Sequence, residues 1–244
     1  MFDEHFEHVY NGTSLRRLPW LVTLGNHDWR SARSPALQLA QTRRSERWHL
    51  PAPHHAVRVW DKSGSLLLLL LLIDTTTLLL KGALGLAWMR SQLAAAASNA
   101  SWVGVVGHHA LFTSGTHRGR TMERHRAVLL PLLSRHGVSF YISGHSHHTE
   151  LLRLDETPPP RRLGARRRPV GHGRPISFIV AGAGSGVDAA PLCDGCMPHS
   201  RHSFVDALGY AELDAGPDAL VVRLVDEHGR TRHEERVARR RSSE

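Results

Sequence analysis

Three short blocks carry the residues best suited to chemistry: Gly25-Asn26-His27-Asp28, Gly107-His108-His109 and Gly144-His145-Ser146-His147-His148. Imidazole nitrogens suit zinc, iron and other transition metals, and an asparagine oxygen binds a cation without adding charge. Each block alone has a plainer reading. Asn-His-Asp also serves as a helix cap or turn. His108 is equally a packed, hydrogen-bonded residue at a strand end, and His109 and His148 read as supporting donors or exposed neighbours. Three blocks that each follow an apolar run point jointly to a metal site built from loops at strand ends.

The elements that must position these blocks are legible in outline. Pro19 to Leu24, Trp102 to Gly107 and Val138 to Ile142 read as strands running into the three blocks. His55 to Trp60 and Ser65 to Ile73 read as a hairpin around Asp61-Lys62-Ser63-Gly64, and the segment from Ser31 to Pro53 as a short helix and loop. Helices are expected over Leu84 to Ala97 and over Met122 to His136, the second bent or interrupted at Pro131. Thr149 to Asp155 and Ile176 to Ala181 resume strand character, and Ala207 to Leu213 pairs with Ala219 to Val225 around Gly216-Pro217. Strands interleaved with helices and ending in strands favour a layered α/β domain with mixed sheets over a closed parallel barrel.

The chain of 244 residues is long enough for one large α/β domain, and its 41% apolar content argues against overall disorder. Its net charge is +9, with only Lys62 and Lys81 as lysines. The arginine runs, Arg161-Arg162, Arg166-Arg167-Arg168 and Arg239-Arg240-Arg241, sit in a Pro- and Arg-rich insertion at 157–175, expected to be disordered, and in a charged tail at 227–244, which points away from a specific nucleic-acid interface. The longest apolar run, Leu66 to Ile73, is too short to span a bilayer. Asp3, Glu4 and Glu7 oppose the basic start of a secretory signal, and Asn11 and Asn99 begin sequons. Cys193 and Cys196 form an isolated pair expected to be structural or incidental, and Gly182-Ala183-Gly184-Ser185-Gly186 lacks the spacing of a dinucleotide fingerprint.

With these residues in view, the chain resembles the calcineurin-like metallophosphoesterases, and within them the small purple, or tartrate-resistant, acid phosphatases. The likeness rests on Leu24-Gly25-Asn26-His27-Asp28, Asp74-Thr75, Gly107-His108, Leu130-Pro131-Leu132-Leu133, Ser143-Gly144-His145-Ser146-His147 and Gly182-Ala183-Gly184, in that order. It implies a single domain over 1–244 with a four-layer α/β/β/α sandwich. It also implies a dinuclear centre of iron plus a divalent iron, zinc or manganese. Asn26, His108 and His145 resemble ligands of the divalent ion, and His147 resembles a ligand of ferric iron. His27 resembles the residue that protonates the leaving alcohol, and His117 a second substrate-facing histidine.

The implied reaction is hydrolysis of a phosphate monoester, on a small molecule or a protein, by hydroxide attack in line. A phosphodiesterase of the same superfamily and a noncatalytic relative are the alternatives. The family pattern also places two aspartate motifs ahead of the Asn-His-Asp block, yet no Gly-Asp pair precedes residue 25. The expectation is therefore a sandwich lacking its first strands, weak iron binding and weak hydrolysis by this chain alone. Secretion is common in the resembling group.

Overall fold

Seven consecutive leucines, Leu66–Leu72, leave no polar face, so the strand that they form must be covered on both sides. The computed structural model describes residues 2–79, 83–96, 99–155, 175–188, 192–193 and 197–239. In chain order these form a π-helical turn at Asp3–Glu7, β1 (Trp20–Leu21), a 3-10 turn at Asp28–Arg30, α1 (Ser34–Gln41), β2 (Trp48–His49), β3 (His54–Trp60), β4 (Leu66–Ile73), α2 (Thr75–Leu78) and α3 (Ala83–Ala96). Then follow β5 (Trp102–Gly107), α4 (Arg120–Arg135), β6 (Phe140–Ser143), β7 (Thr149–Leu154), β8 (Ile176–Ala181), β9 (Ser200–Phe204), β10 (Gly209–Ala215), β11 (Ala219–Asp226) and β12 (Thr231–Ala238).

The leucine strand sits inside a mixed seven-stranded sheet of order β3-β4-β5-β6-β8-β7-β9. Strands β4, β5, β6 and β8 run parallel, and β3, β7 and β9 are antiparallel to their neighbours. Alternate side chains face two cores. Leu69, Leu71, Ile73, Val103, Val105, Phe178 and Val180 meet Met89 and Leu93 of α3 and Leu129, Leu132 and Leu133 of α4. On the opposite face Trp102, Phe140, Leu151 and Ile179 meet Leu220, Val222 and Leu224 of the three-stranded sheet β10-β11-β12. Helices, large mixed sheet and small antiparallel sheet thus stack in that order, giving an α/β sandwich with a mixed central sheet and flanking helices, three of the four expected layers among the described residues.

Four details depart from the expectations. Only Trp20–Leu21 of the first apolar run is a strand, pairing in parallel with β2, although Leu24 beyond it is fully buried. Helix α4 runs through Pro131 uninterrupted. A proline inside a helix costs about 3 kcal/mol, whereas each buried leucine contributes about 1.5–3 kcal/mol, so Leu129, Leu132 and Leu133 outweigh it. The expected charged tail from 227 contains β12, paired antiparallel with β11 and tied to it by Arg223 donating to Glu234 at 2.6 Å. Its charges alternate outward, as on a polar edge strand. Finally, β9 is an unexpected short edge strand on β7. The basic insertion at 157–175 lies, except for Pro175, outside the described residues.

A candidate metal centre at the strand ends

The second and third histidine blocks lie at the loop ends of the seven-stranded sheet. His108 follows β5 directly and His145 follows β6 by one residue, and both strands are parallel, so the two loops leave the same edge. In parallel sheets this carboxyl edge is where ligands bind. Asn26 reaches the same point from the loop after β1. His108 Nε2 lies 2.7 Å from Asn26 Oδ1 and 3.1 Å from His145 Nδ1. His108, His109 and His145 each bring a ring nitrogen within 4.8 Å of the others, and among the described residues no carboxylate joins the group.

Close packing around the loops fixes these rings. A Cβ on Gly25 would stand 2.7 Å from His108 Nδ1, so the His108 ring lies flat on the backbone of the first block. Asp28 closes that block by accepting from the Gly25 N–H at 2.8 Å and from Gln38 Nε2 at 2.6 Å. Trp29 Nε1–H donates to Asp74 Oδ2 at 3.0 Å, linking the block to the end of β4. Asp74 is fully buried and caps α2 through the Thr76 and Thr77 N–H groups. His145 has a left-handed backbone with φ of 66°, an uncommon state for a residue with a side chain, and such strain gathers at functional loops. A Cβ on Gly182 would meet Ser146 O at 2.0 Å, so only glycine lets the loop after β8 pack under this turn.

The remaining histidines fall into two groups. His27 is exposed at the rim, its Nε2 accepting from Arg30 Nη2 at 2.9 Å. His117 is exposed, with its ring 4.2 Å from that of His145 and 5.7 Å from that of His147. His147 has a side chain 56% exposed and stands 3.9 Å from buried Asp188. The structure thus brings Asn26, His108 and His145 into one cluster, with His27, His117 and His147 around its mouth.

His109 and His148 are neither exposed nor incidental. His109 is buried, its Nδ1 2.8 Å from Thr75 Oγ1 and its ring stacked on His125 at 4.6 Å. His148 is fully buried, with Nε2 3.0 Å from Glu150 Oε2. Glu150 also accepts from the Ser114 N–H and hydroxyl and from the Ser200 hydroxyl. Asp74, the first residue past β4, entered the sequence reading only through the Asp74-Thr75 likeness, and Glu150 inside β7 and Asp188 beyond β8 had no comparable signal.

Electrostatics favour neutral imidazoles in the cluster. Burial lowers His109 to about 3 and His145 to about 4, with repulsion from neighbouring histidines adding to the effect. Burial also lowers His108, opposed by Asp28. A neutral ring keeps the lone pair that a metal needs. For Glu150, burial works upward, but the hydrogen bonds from His148, Ser114 and Ser200 prevail and hold its carboxyl below the usual range.

Parallel strands feeding a histidine cluster at their carboxyl ends agree with what the sequence matches. The Calcineurin-like phosphoesterase profile matches residues 2–149, and the chain belongs to that family. Among curated relatives, tartrate-resistant acid phosphatase type 5 of Sus scrofa is 28% identical over 269 residues, covering 100% of this chain and 71% of the relative. Purple acid phosphatase 4 of Arabidopsis thaliana is 24% identical, covering 95% of this chain and 66% of the relative. Among solved structures, GAP50, titled the anchor in the inner membrane complex of Plasmodium, superposes with a TM-score of 0.77 at 20% identity, covering 98% of this chain and 72% of that one. Purple acid phosphatase PPD1 from yellow lupin seeds superposes at 0.60 and 15% identity, covering 91% and 39%. Both superpositions speak for the fold alone. Among the described residues, no helix is long and apolar enough to cross a membrane.

The family's dinuclear centre can be tested against these donors. The divalent half fits, since Asn26 Oδ1, His108 Nε2 and His145 Nδ1 converge in a neutral set. The ferric half fits poorly: ferric iron favours several anionic oxygen donors, and among the described residues that side offers half-exposed His147 and the Asp188 carboxylate 3.9 Å from it, with no carboxylate in the histidine cluster itself. Cys193 is disulfide-bonded and so is not a thiolate ligand.

Proposed function

We propose that this phosphoesterase is an acid phosphatase that cleaves phosphate monoesters, with Asn26, His108 and His145 holding a divalent metal and His27 and His117 acting on the substrate. The observation that carries the reading is the Asn26–His108–His145 convergence with two further histidines at its rim. A bound metal would neutralise phosphate charge and acidify water at the cluster. The protein's own residues supply the rest. His27 protonates the departing alcohol, and neighbouring Arg30, whose guanidinium donates to His27 Nε2, adds positive charge beside it. His117, its ring tilted against that of His145, donates to a second phosphate oxygen. Iron at His147, as in a dinuclear centre, would need anionic donors in addition to the Asp188 carboxylate beside it.

A noncatalytic role is the second reading, favoured by the lack of a carboxylate among the described cluster residues. Assays with an aryl phosphate monoester and the matching diester, on metal-loaded protein, separate the possibilities. Preferential monoester turnover that falls about 100-fold in His27→Asn supports the proposal. Diester preference, or turnover unchanged in that variant, contradicts it, and full metal loading without any turnover favours the second reading.

A further inference from the structure

We propose that the centre takes a single borderline divalent cation of the zinc class, with His109 as a ligand beside His108, His145 and Asn26. The proposal concerns the same centre as the phosphatase reading, although metal binding is read without turnover, so either can fail alone.

Three observations converge on His109. First, its nitrogen lies within 4.8 Å of the donor atoms of His108 and His145, and the three rings close a triangle with centroid separations of 5.0, 4.9 and 4.6 Å. Second, Nδ1 is engaged by Thr75 Oγ1 at 2.8 Å, which leaves Nε2 for the centre. A metal-binding histidine commonly donates its other ring N–H to such an oxygen, which fixes tautomer and ring plane. Third, the residue is clamped on its remaining sides. His125 stacks on it at an interplanar angle of 14° and is itself held by the carbonyls of Thr121 and Thr75, while Tyr141 OH donates to the His109 carbonyl at 2.8 Å. A histidine serving only to fill the core needs no such fixed orientation toward two other imidazoles.

The dimensions and charge of the donor set choose the ion. Tetrahedral zinc with Zn–N of about 2.0–2.1 Å places ligand atoms about 3.3 Å apart; His108 Nε2 stands 3.1 Å from His145 Nδ1 and 2.7 Å from Asn26 Oδ1, so the asparagine oxygen would move outward as the ion enters. Three imidazoles and an amide oxygen carry no charge, a set suited to Zn(II) or Co(II) and poor for ferric iron. His147 lies outside this set, facing Asp188.

Calorimetric titration of the metal-free 244-residue chain with zinc, with bound metal counted by mass spectrometry, tests the proposal. The expected result is one zinc per chain, an affinity at least tenfold weaker in His109→Phe, and no change in His147→Ala, with roughly tenfold as the smallest effect expected for a lost ligand. Zinc-edge X-ray absorption on the unaltered protein should count three imidazoles, which keeps the test decisive if His109→Phe does not fold. Two ions per chain, two imidazoles, no binding at micromolar zinc, a folded His109→Phe with full affinity, or a weakened His147→Ala would each overturn it.

Discussion

Gly25 shows how narrowly the centre is set. Its missing side chain is the space in which the His108 ring rests, 2.7 Å from where a Cβ would stand. Gly25→Ala must push that ring off the backbone and away from Asn26 Oδ1. We expect metal affinity to fall by about tenfold or more, the scale of a misplaced ligand, with far-UV circular dichroism unchanged. Cobalt titration followed by absorbance checks both. At this scale Asn26, His108 and His145 were legible because each stands beside a glycine after an apolar run. His109 was not, because an adjacent histidine reads as a bystander until Thr75 and His125, distant in sequence, are seen to orient it. Glu150 was invisible for the same reason: its partners Ser114, His148 and Ser200 meet only in the fold.

Among the four α-helices of the described residues, α2 is the shortest and the most consequential. It has four residues, yet its cap Asp74 joins the end of β4 to the first histidine block through Trp29, and its Thr75 orients His109. Asp74 Oδ2 accepts from Trp29 Nε1–H at 3.0 Å and from the Thr77 hydroxyl at 2.7 Å. Asp74→Asn sets an NH2 or a weaker acceptor against these donors, and a buried mismatch of this kind costs about 1–3 kcal/mol. Urea unfolding should show that loss, and Trp29 fluorescence should report a loosened block. Strands bounded by turns or glycine, such as β5 and β8, were readable to the residue because both faces are apolar. Edge strands β9 and β12 were missed because polar alternation looks like loop or tail until a partner strand supplies the hydrogen bonds.

The whole molecule should be acid-sensitive before any metal is added. Burial holds His55 down to about 4 and also lowers His54 and His202, all outside the centre. Above about pH 6.5 both folded and unfolded forms are neutral at these positions; below it the unfolded chain takes up protons that the folded one refuses. Stability is therefore full above about 6.5 and declines as pH falls toward 4, with His55 contributing on the order of 2 kcal/mol. Glu150, whose carboxyl is held low, extends the loss below its ordinary range. Denaturant midpoints at several pH values should trace this decline, and His55→Phe should flatten it; a midpoint that stays constant from pH 7 to 5 would sink the account.

The leucine strand carries one more consequence, for alignment. Sliding β4 along β3 or β5 by one or two residues puts leucine where leucine was, so side-chain identity says nothing about where the strand belongs. That information sits at its two ends: in the Asp61 turn, whose carboxylate accepts from the Ser63 and Ser65 N–H groups, and in Ile73-Asp74, where the cap of α2 begins. Refolding should accordingly include a slow fraction of chains that paired out of step, and marking the strand with valine at Leu69 and Leu71 should remove that fraction without altering the final structure. A sheet so uniform at its centre takes its address from its borders.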